Sequence, residues 1–248
     1  MINKDNILKR IIKKEDKILV KNVIDKYLKY EKTGINTYTN FLDLRQYKLV
    51  TDVLKSEKIS YNTYKVCDEC EKVIVYFGSY DNYVTIYSFE SHDVKHKDVL
   101  GTLFSLGYNI DTIGDIFVNN DYVYFTNLSR LNPFLETNLY MIKNNRIELK
   151  KVDSIILNDD RFISLKIVIP SYRLDVIVSK LGHLSRSDSI KYINDGLVLL
   201  NYEEVKNKNK LVNIGDIISI RKIGKFKIEN ELLKSKKDNY LIDVKKYN

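Results

Sequence analysis

Cysteine occurs only twice in 248 residues, at Cys67 and Cys70, and proline also only twice. Two cysteines are too few for a disulfide-rich secreted scaffold. With two prolines and nine glycines there is little material for long flexible linkers. No apolar run approaches the ~20 residues that span a bilayer. The opening MINKDNILKRIIKKEDK has no apolar core of signal-peptide length. Cytoplasmic residence and no membrane partner are therefore expected. Sequence repeats are missing too, and so are G-x-G-x-x-G, a P-loop, H-E-x-x-H and a serine-hydrolase elbow. No catalytic residue, cofactor or metal is expected.

What the chain has is charge, unevenly placed. The formal net charge is +8. Residues 1–33 hold 10 Lys/Arg against 5 Asp/Glu, residues 34–170 hold 15 against 18, and residues 171–248 hold 16 against 10. Both ends are basic and the middle is not, so a polyanion would be drawn to the ends. A hydrophobic fraction of 44% and a charged fraction of 30% suit a soluble globular protein, and the alternation of strand and helix signals makes it α+β. The length allows more than one core.

Three parts are expected: a mainly helical N-terminal domain over 1–70, a middle α+β domain over 71–168 that resembles an RNA-recognition sandwich, and a C-terminal domain over 169–248. Ile7, Ile11, Ile12, Leu19, Val23, Ile24 and Leu28 recur at helical spacing. KTGIN at 32–36 stops that helix, and Thr39 or Asp43 caps the next. VIVYFGSYDNYVTIYSF over 73–89 reads as a hairpin turning at Gly78. KDVLGTLFSLGYNIDTIGDI predicts a helix, a glycine turn and a second helical segment. NLYMI is expected to be helical, and YVYFTN, IELKKVD and SLKIVIP to be strands.

The C-terminal part carries the strongest site. SYRLDVIVSKLG puts Leu174, Ile177, Val178 and Leu181 on one helical face, with Gly182 as a left-handed cap. Ser185 stands three residues before Asp188, the spacing of a capping box. Gly196 ends the second helix, LVLLN is a strand, and NIGDIISI is another entered by a Gly-Asp turn. KFKI and YLIDV flank KSKKDN as a terminal hairpin. Two short helices on a small sheet then expose Arg173, Lys180, Arg186, Ser187 and Lys191, with Arg173 and Lys180 seven apart on one face. Asn201 ends the strand, and Lys206, Lys208 and Lys210 follow. Arginine forks onto phosphate oxygens and lysine acts as a mobile point charge, so this surface suits a phosphate backbone.

RLDVIVSKLGHLSRSDSIKYINDGLVLLN followed by GDIISIR resembles the S4-type RNA-binding domain, matched at Arg173, Leu174, Asp175, Ser185, Arg186, Gly196, Val198, Asn201, Gly215, Asp216 and Ile218. The resemblance implies that Arg173, Arg186 and Lys191 face RNA, with Asn201 and Lys206 at the edge, and that Asp175, Gly196 and Gly215 are architectural. Ser189 stands where Ala is usual, and Tyr202 where many relatives carry Gly. An aromatic there marks one subfamily, the YlmH-like bacterial RNA-binding proteins. TNFLDLRQ at 39–46, LGTLFSLGYNIDTIGDI at 100–116 and ISIRKIGKFKI also resemble that family. Lys222 replaces a Gly and Lys225 an Arg in the last segment, and Lys225 keeps the charge of an RNA contact. The family implies structured rRNA or tRNA as partner, association with large ribosomal subunits carrying stalled peptidyl-tRNA, rescue or quality control of nascent chains, and a monomer off the ribosome. An older link is to cell-division gene neighbourhoods.

Other readings compete. The S4-type fold also occurs joined to pseudouridine synthases and RNA methyltransferases, but the middle part has no nucleotide-cofactor glycines. A protein-interaction adaptor would use the basic first helix and the acidic middle. Tyr76, Tyr80, Tyr83, Tyr87, Tyr122 and Tyr124 could stack bases, although strand tyrosines are more often packing groups. CDEC at 67–70 with His92 and His96 could form a zinc site on paper, but ordinary thiols fit the spacing better. His183 is expected to be satisfied locally. Asp111 is expected to start a short helix and Asp115 to cap a turn.

Overall fold

The computed structural model describes residues 2–91, 93–119, 121–157, 162–234 and 239–247. The chain is α+β and forms two compact units, Met1–Leu157 and Asn158–Asn248. Among the described residues no helix is long and apolar enough to cross a membrane.

The first unit opens with helices α1 (Lys4–Lys9) and α2 (Lys14–Thr33). The basic first stretch is thus two helices, broken at Ile11–Lys13. α2 buries Val20, Val23 and Ile24 and carries Glu15 and Asp16 in its first turn, where carboxylates complement the helix dipole. Asp16 also accepts both arms of the Arg45 guanidinium, at 2.8 and 3.1 Å, and that pairing holds its carboxyl below the usual range. Gly34, at φ 68°, stops α2 as expected. β1 (Thr37–Tyr38), α3 (Leu44–Ser56), β2 (Asn62–Tyr64) and β3 (Ile74–Phe77) follow. Asp43 caps α3 through a complete capping box with Gln46.

β3 corrects the expected hairpin over 73–89. It pairs antiparallel with β1 and β2, whereas the next strand, β4 (Val84–Glu90), belongs to another sheet. Gly78 has φ 94°, but its turn redirects the chain between sheets. An apolar strand can be buried by either sheet, and alternation alone does not choose its partner.

After β4 come α4 (His96–Ser105), β5 (Ile113–Val118), β6 (Tyr122–Leu128), α5 (Asn132–Asn138), the short pair β7 (Met141–Ile142) and β8 (Asn145–Arg146), and β9 (Lys150–Val152). Two expectations fail here. The segment around Asp115 is a strand, because Ile113 and Ile116 are buried in a β ladder against β6. NLYMI is mostly non-helical, since α5 stops at Asn138 and Met141–Ile142 pairs with β8. The main sheet has the order β5-β6-β4-β9 and is antiparallel throughout. Leaving aside β7 and β8, the sequence of elements is β-α-β-β-α-β, the split ferredoxin-like arrangement. Tyr87, Phe89, Val123 and Phe125 pack with Val99, Leu103 and Leu135 of the helices.

Asp111 and Asp115 fasten this sheet to the preceding segment. Asp111 accepts the Asn40 amide at 2.8 Å, and its carbonyl accepts the Phe41 N–H at 2.8 Å. Asp115 accepts the backbone N–H groups of Glu71 and Lys72 at 2.9 and 3.0 Å, so it clamps a neighbouring strand entry where a turn cap was expected. Burial nevertheless raises its carboxyl above the ordinary range. Cys67 and Cys70 form a disulfide, which corrects the free-thiol reading: their Cα atoms lie 5.2 Å apart, within bridging reach. His92 lies outside the described residues, among which no group of three or more His, Cys, Asp or Glu could hold a metal ion.

The second unit contains β10 (Phe162–Ile169), α6 (Leu174–Gly182), α7 (Arg186–Asn194), β11 (Val198–Leu200), β12 (Glu203–Glu204), β13 (Ile217–Ile220), β14 (Gly224–Lys234) and β15 (Tyr240–Tyr247). Its antiparallel sheet has the order β10-β15-β14-β13-β11-β12. Leu174, Ile177, Val178 and Leu181 of α6 and Ile193 of α7 pack with Val198, Ile218, Ile220, Phe226, Ile242 and Val244 of the strands. β14 and β15 form the terminal hairpin read from the sequence. Residues 235–238 of its turn lie outside the described residues.

Candidate RNA-binding surface

α6 begins at Leu174, and Arg173 is its N-cap, in extended backbone. Seven-residue spacing therefore does not place Arg173 on the Lys180 face. Its guanidinium instead folds onto Asp175, Nε to Oδ1 at 3.0 Å and Nη2 to Oδ2 at 2.8 Å. Asp175 is fully buried, so this fork satisfies a carboxylate that would otherwise be costly. The same turn captures the lysine connector. The Leu174 N–H donates to the Lys210 carbonyl at 2.9 Å, and the Asp175 N–H to the Lys208 carbonyl at 3.2 Å. The backbone of Lys208 and Lys210 thus closes the open end of α6, leaving both side chains exposed near Arg173.

At the other end of α6 the left-handed residue is His183, at φ 51°, where Gly182 was expected. Gly182 is still helical. A Cβ there would come within 3.0 Å of Leu184 and 3.2 Å of Ile223, so the glycine provides close approach. The tight corner leads into Ser185, whose Oγ accepts the Asp188 N–H at 3.1 Å and starts α7 as the spacing predicts. Ser187 Oγ lies 2.9 Å from Ser185 Oγ. Lys180, Arg186 and Lys191 are exposed, and among the described residues none has a carboxylate partner. Lys206 is exposed and lies 3.5 Å from Glu204.

The remaining two residues are engaged elsewhere. Asn201, at φ 52°, donates to Asp216 Oδ1 at 2.8 Å and accepts the Ile217 N–H at 2.9 Å. Its amide ties the β11–β12 turn to the entry of β13. Tyr202 follows at φ 68°, so both central residues of this two-residue turn are left-handed, the pattern that usually selects Asn-Gly. The tyrosine hydroxyl accepts Lys225 Nζ at 3.0 Å. That ammonium lies 4.7 Å from the Tyr202 ring centre and 4.9 Å from that of Tyr247. Sequence reading missed Tyr247, which reaches Lys225 only because β14 and β15 pair. It also missed the open groove of about 590 Å³ where Gly196, Ser219, Arg221, Lys222 and Lys225 meet. Arg221 and Lys222 were visible as charges, but the groove depends on strand neighbours.

In the first unit most of the candidate stacking tyrosines are packed. Tyr87 is buried and donates to Glu136, and Tyr83 stacks on Tyr38 at 4.2 Å. Tyr80 stacks on Tyr64 at 4.4 Å, and Tyr76 meets the edge of Tyr80. Tyr124 is also buried; Tyr122 is the exposed ring of the set.

Two helices on an antiparallel sheet, with a basic helix pair and a lysine connector, define an S4-type module. Residues 173–218 match the S4 domain, and residues 83–155 match the putative RNA-binding domain in YlmH. The chain thus carries an S4 domain C-terminal to a segment that matches the putative RNA-binding domain in YlmH. It is similar to ribosome-associated protein quality control protein P2 of Bacillus subtilis (strain 168), 27% identical over 152 residues. That match covers 60% of this chain and 59% of the relative. A solved structure of cell division protein ylmH from Streptococcus pneumoniae aligns with TM-score 0.49 and 16% identity, covering 57% of this chain and 93% of that one.

Proposed function

We propose that this is a noncatalytic cytoplasmic protein that binds structured rRNA or tRNA on the ribosome and acts in the quality control of large subunits bearing stalled chains. One observation carries the reading: Lys180, Arg186 and Lys191 stand exposed on the S4-type helix pair, free of carboxylate partners among the described residues. Exposed cations without intramolecular partners are available to phosphates, and releasing counterions from RNA supplies the affinity. The name of the Bacillus relative supports the ribosomal setting. Arg173 acts through Asp175 and the connector, and Asn201 through the turn that presents Tyr202 and Lys225.

The test is the double variant Arg186→Ala/Lys191→Ala in the full chain. RNA affinity is expected to fall uniformly across structured RNAs, and the slope of log affinity against log salt to shrink by about one for each phosphate no longer neutralised. The melting temperature should hold, because both side chains are exposed. Unchanged affinity with an unchanged fold would remove this surface from the RNA. Capture of the variant on large subunits at wild-type levels, despite weakened RNA affinity, would instead favour docking to a ribosomal protein.

A further inference from the structure

Lys26 and Lys29 lie one turn apart on α2, so they share an edge of that helix. Lys26 Nζ stands 5.9 Å from the centre of the Tyr38 ring, and the Arg130 guanidinium 5.5 Å from the same centre. Tyr38 is fixed from behind by its stack on Tyr83. Arg130 donates to Asn40 Oδ1 at 2.6 Å, while the Asn40 amide nitrogen is held by Asp111. Lys26 and Arg130, from two distant stretches of chain, are thereby brought beside one tyrosine, and Lys29 lies one helical turn along α2 from Lys26.

Nearby carboxylates make no ion pair with them: Asp25 is paired with Lys4, Asp111 accepts the neutral Asn40 amide and keeps its charge in the cleft that Lys26 and Lys29 line, and Asp81 lines the groove beside Arg130 without an ion pair to it. Among the described residues none of Lys26, Lys29 and Arg130 has a salt-bridge partner. Lys26 is half-buried as well, and burial, followed by Arg130 and Lys29, makes its ammonium more acidic than usual. Like charges gathered this way repel, and a bound anion would relieve that repulsion. Open space adjoins both cations: Lys26, Lys29 and Asn40 line a cleft of about 480 Å³, and Tyr38 and Arg130 line a second one of about 380 Å³.

We propose that Lys26 and Arg130 form a phosphate-binding site around Tyr38, with Lys29 one helical turn from Lys26, within the first unit and independent of the role of the S4-type surface. Arg130 supplies a fork and the lysines supply point charges, the combination that recognises phosphate oxygens. Lys26 and Lys29 lie outside both matched segments. Phosphate is the shared chemistry of two sources, an RNA backbone and a small phosphorylated molecule.

The test uses the full chain, Lys26→Met and Arg130→Gln. In chloride, each variant should change the melting temperature little, because relief of cation repulsion offsets the lost contact with Tyr38 and, for Arg130, the bond to Asn40. Inorganic phosphate and pyrophosphate should raise the wild-type melting temperature more than that of either variant at equal ionic strength. If RNA is the source, each variant also weakens tRNA binding several-fold and reduces the salt slope by about one, with Arg130→Lys partly restoring it. Phosphate stabilisation abolished in the variants with tRNA affinity unchanged identifies a small phosphorylated ligand. If phosphate stabilises all forms equally and tRNA binding is unaffected, the site does not exist. Loss of tRNA binding on Arg186→Ala/Lys191→Ala alone bears on the S4-type surface and leaves this result readable.

Discussion

Tyr202 combines two opposed effects in one side chain. Its φ of 68° places an L-residue where Gly is favoured, at a cost of about 1–2 kcal/mol. Against this, its ring and hydroxyl hold Lys225. Tyr202→Gly should therefore change stability by less than about 1 kcal/mol, backbone relief offsetting removal of the ring and hydroxyl from Lys225. The coupling shows in a cycle with Lys225→Met: the double variant should melt differently from the sum of the singles. Additive effects would mean that the two side chains are independent. Only half of this was legible in the sequence. Tyrosine at a glycine position was visible, but the partner was not, because Lys225 lies 23 residues away on a strand brought near by pairing. Arg173 is similar. Arg-Leu-Asp was readable as a motif, whereas the turning of the arginine onto a buried carboxylate required the N-cap geometry.

The helices were legible as elements because their signals are local. Asp43 with Gln46, Ser185 with Asp188 and Gly34 after Thr33 each act within four residues, and each boundary lies where the spacing puts it. Gly182 was misread for the same reason, since a glycine near a helix end serves equally a left-handed cap or a close approach. The two uses can be separated. Gly196→Ala should lose about 1–2 kcal/mol, because its φ of 69° penalises any Cβ. Gly182→Ala should lose less. Its backbone is helical, so a gain in helix propensity of up to about 1 kcal/mol opposes the crowding against Leu184. Urea unfolding of both variants checks the order, and the reverse order would return the cap to Gly182. Strands were harder. β3 and β4 are both apolar and separated by a glycine turn, yet they join different sheets because Thr37–Tyr38 and Tyr122–Leu128 supply their edges from elsewhere in the chain.

At the scale of the whole molecule, charge and core separate. The C-terminal unit has its own continuous apolar cluster, from Ile169 through Val244. Residues 158–248 alone should therefore melt cooperatively and bind structured RNA, with a shallower salt slope than the full chain if the Lys26–Arg130 site also contacts RNA. A non-cooperative melt would show that this core is insufficient by itself. The sequence by itself determined the basic ends, the α+β class and the two-helix motif, because these rest on residue counts, periodicity and spacings of a few positions. Tertiary structure alone decided which cations are already paired. Arg173 is joined to a carboxylate two residues away, Lys225 is held by one ring from a turn and one from a strand, and Lys26 and Arg130 meet around a tyrosine from a third segment. The physical reason is range: periodicity and capping act over one turn of chain, whereas Coulomb and ring contacts depend on distances that folding sets between residues far apart in sequence.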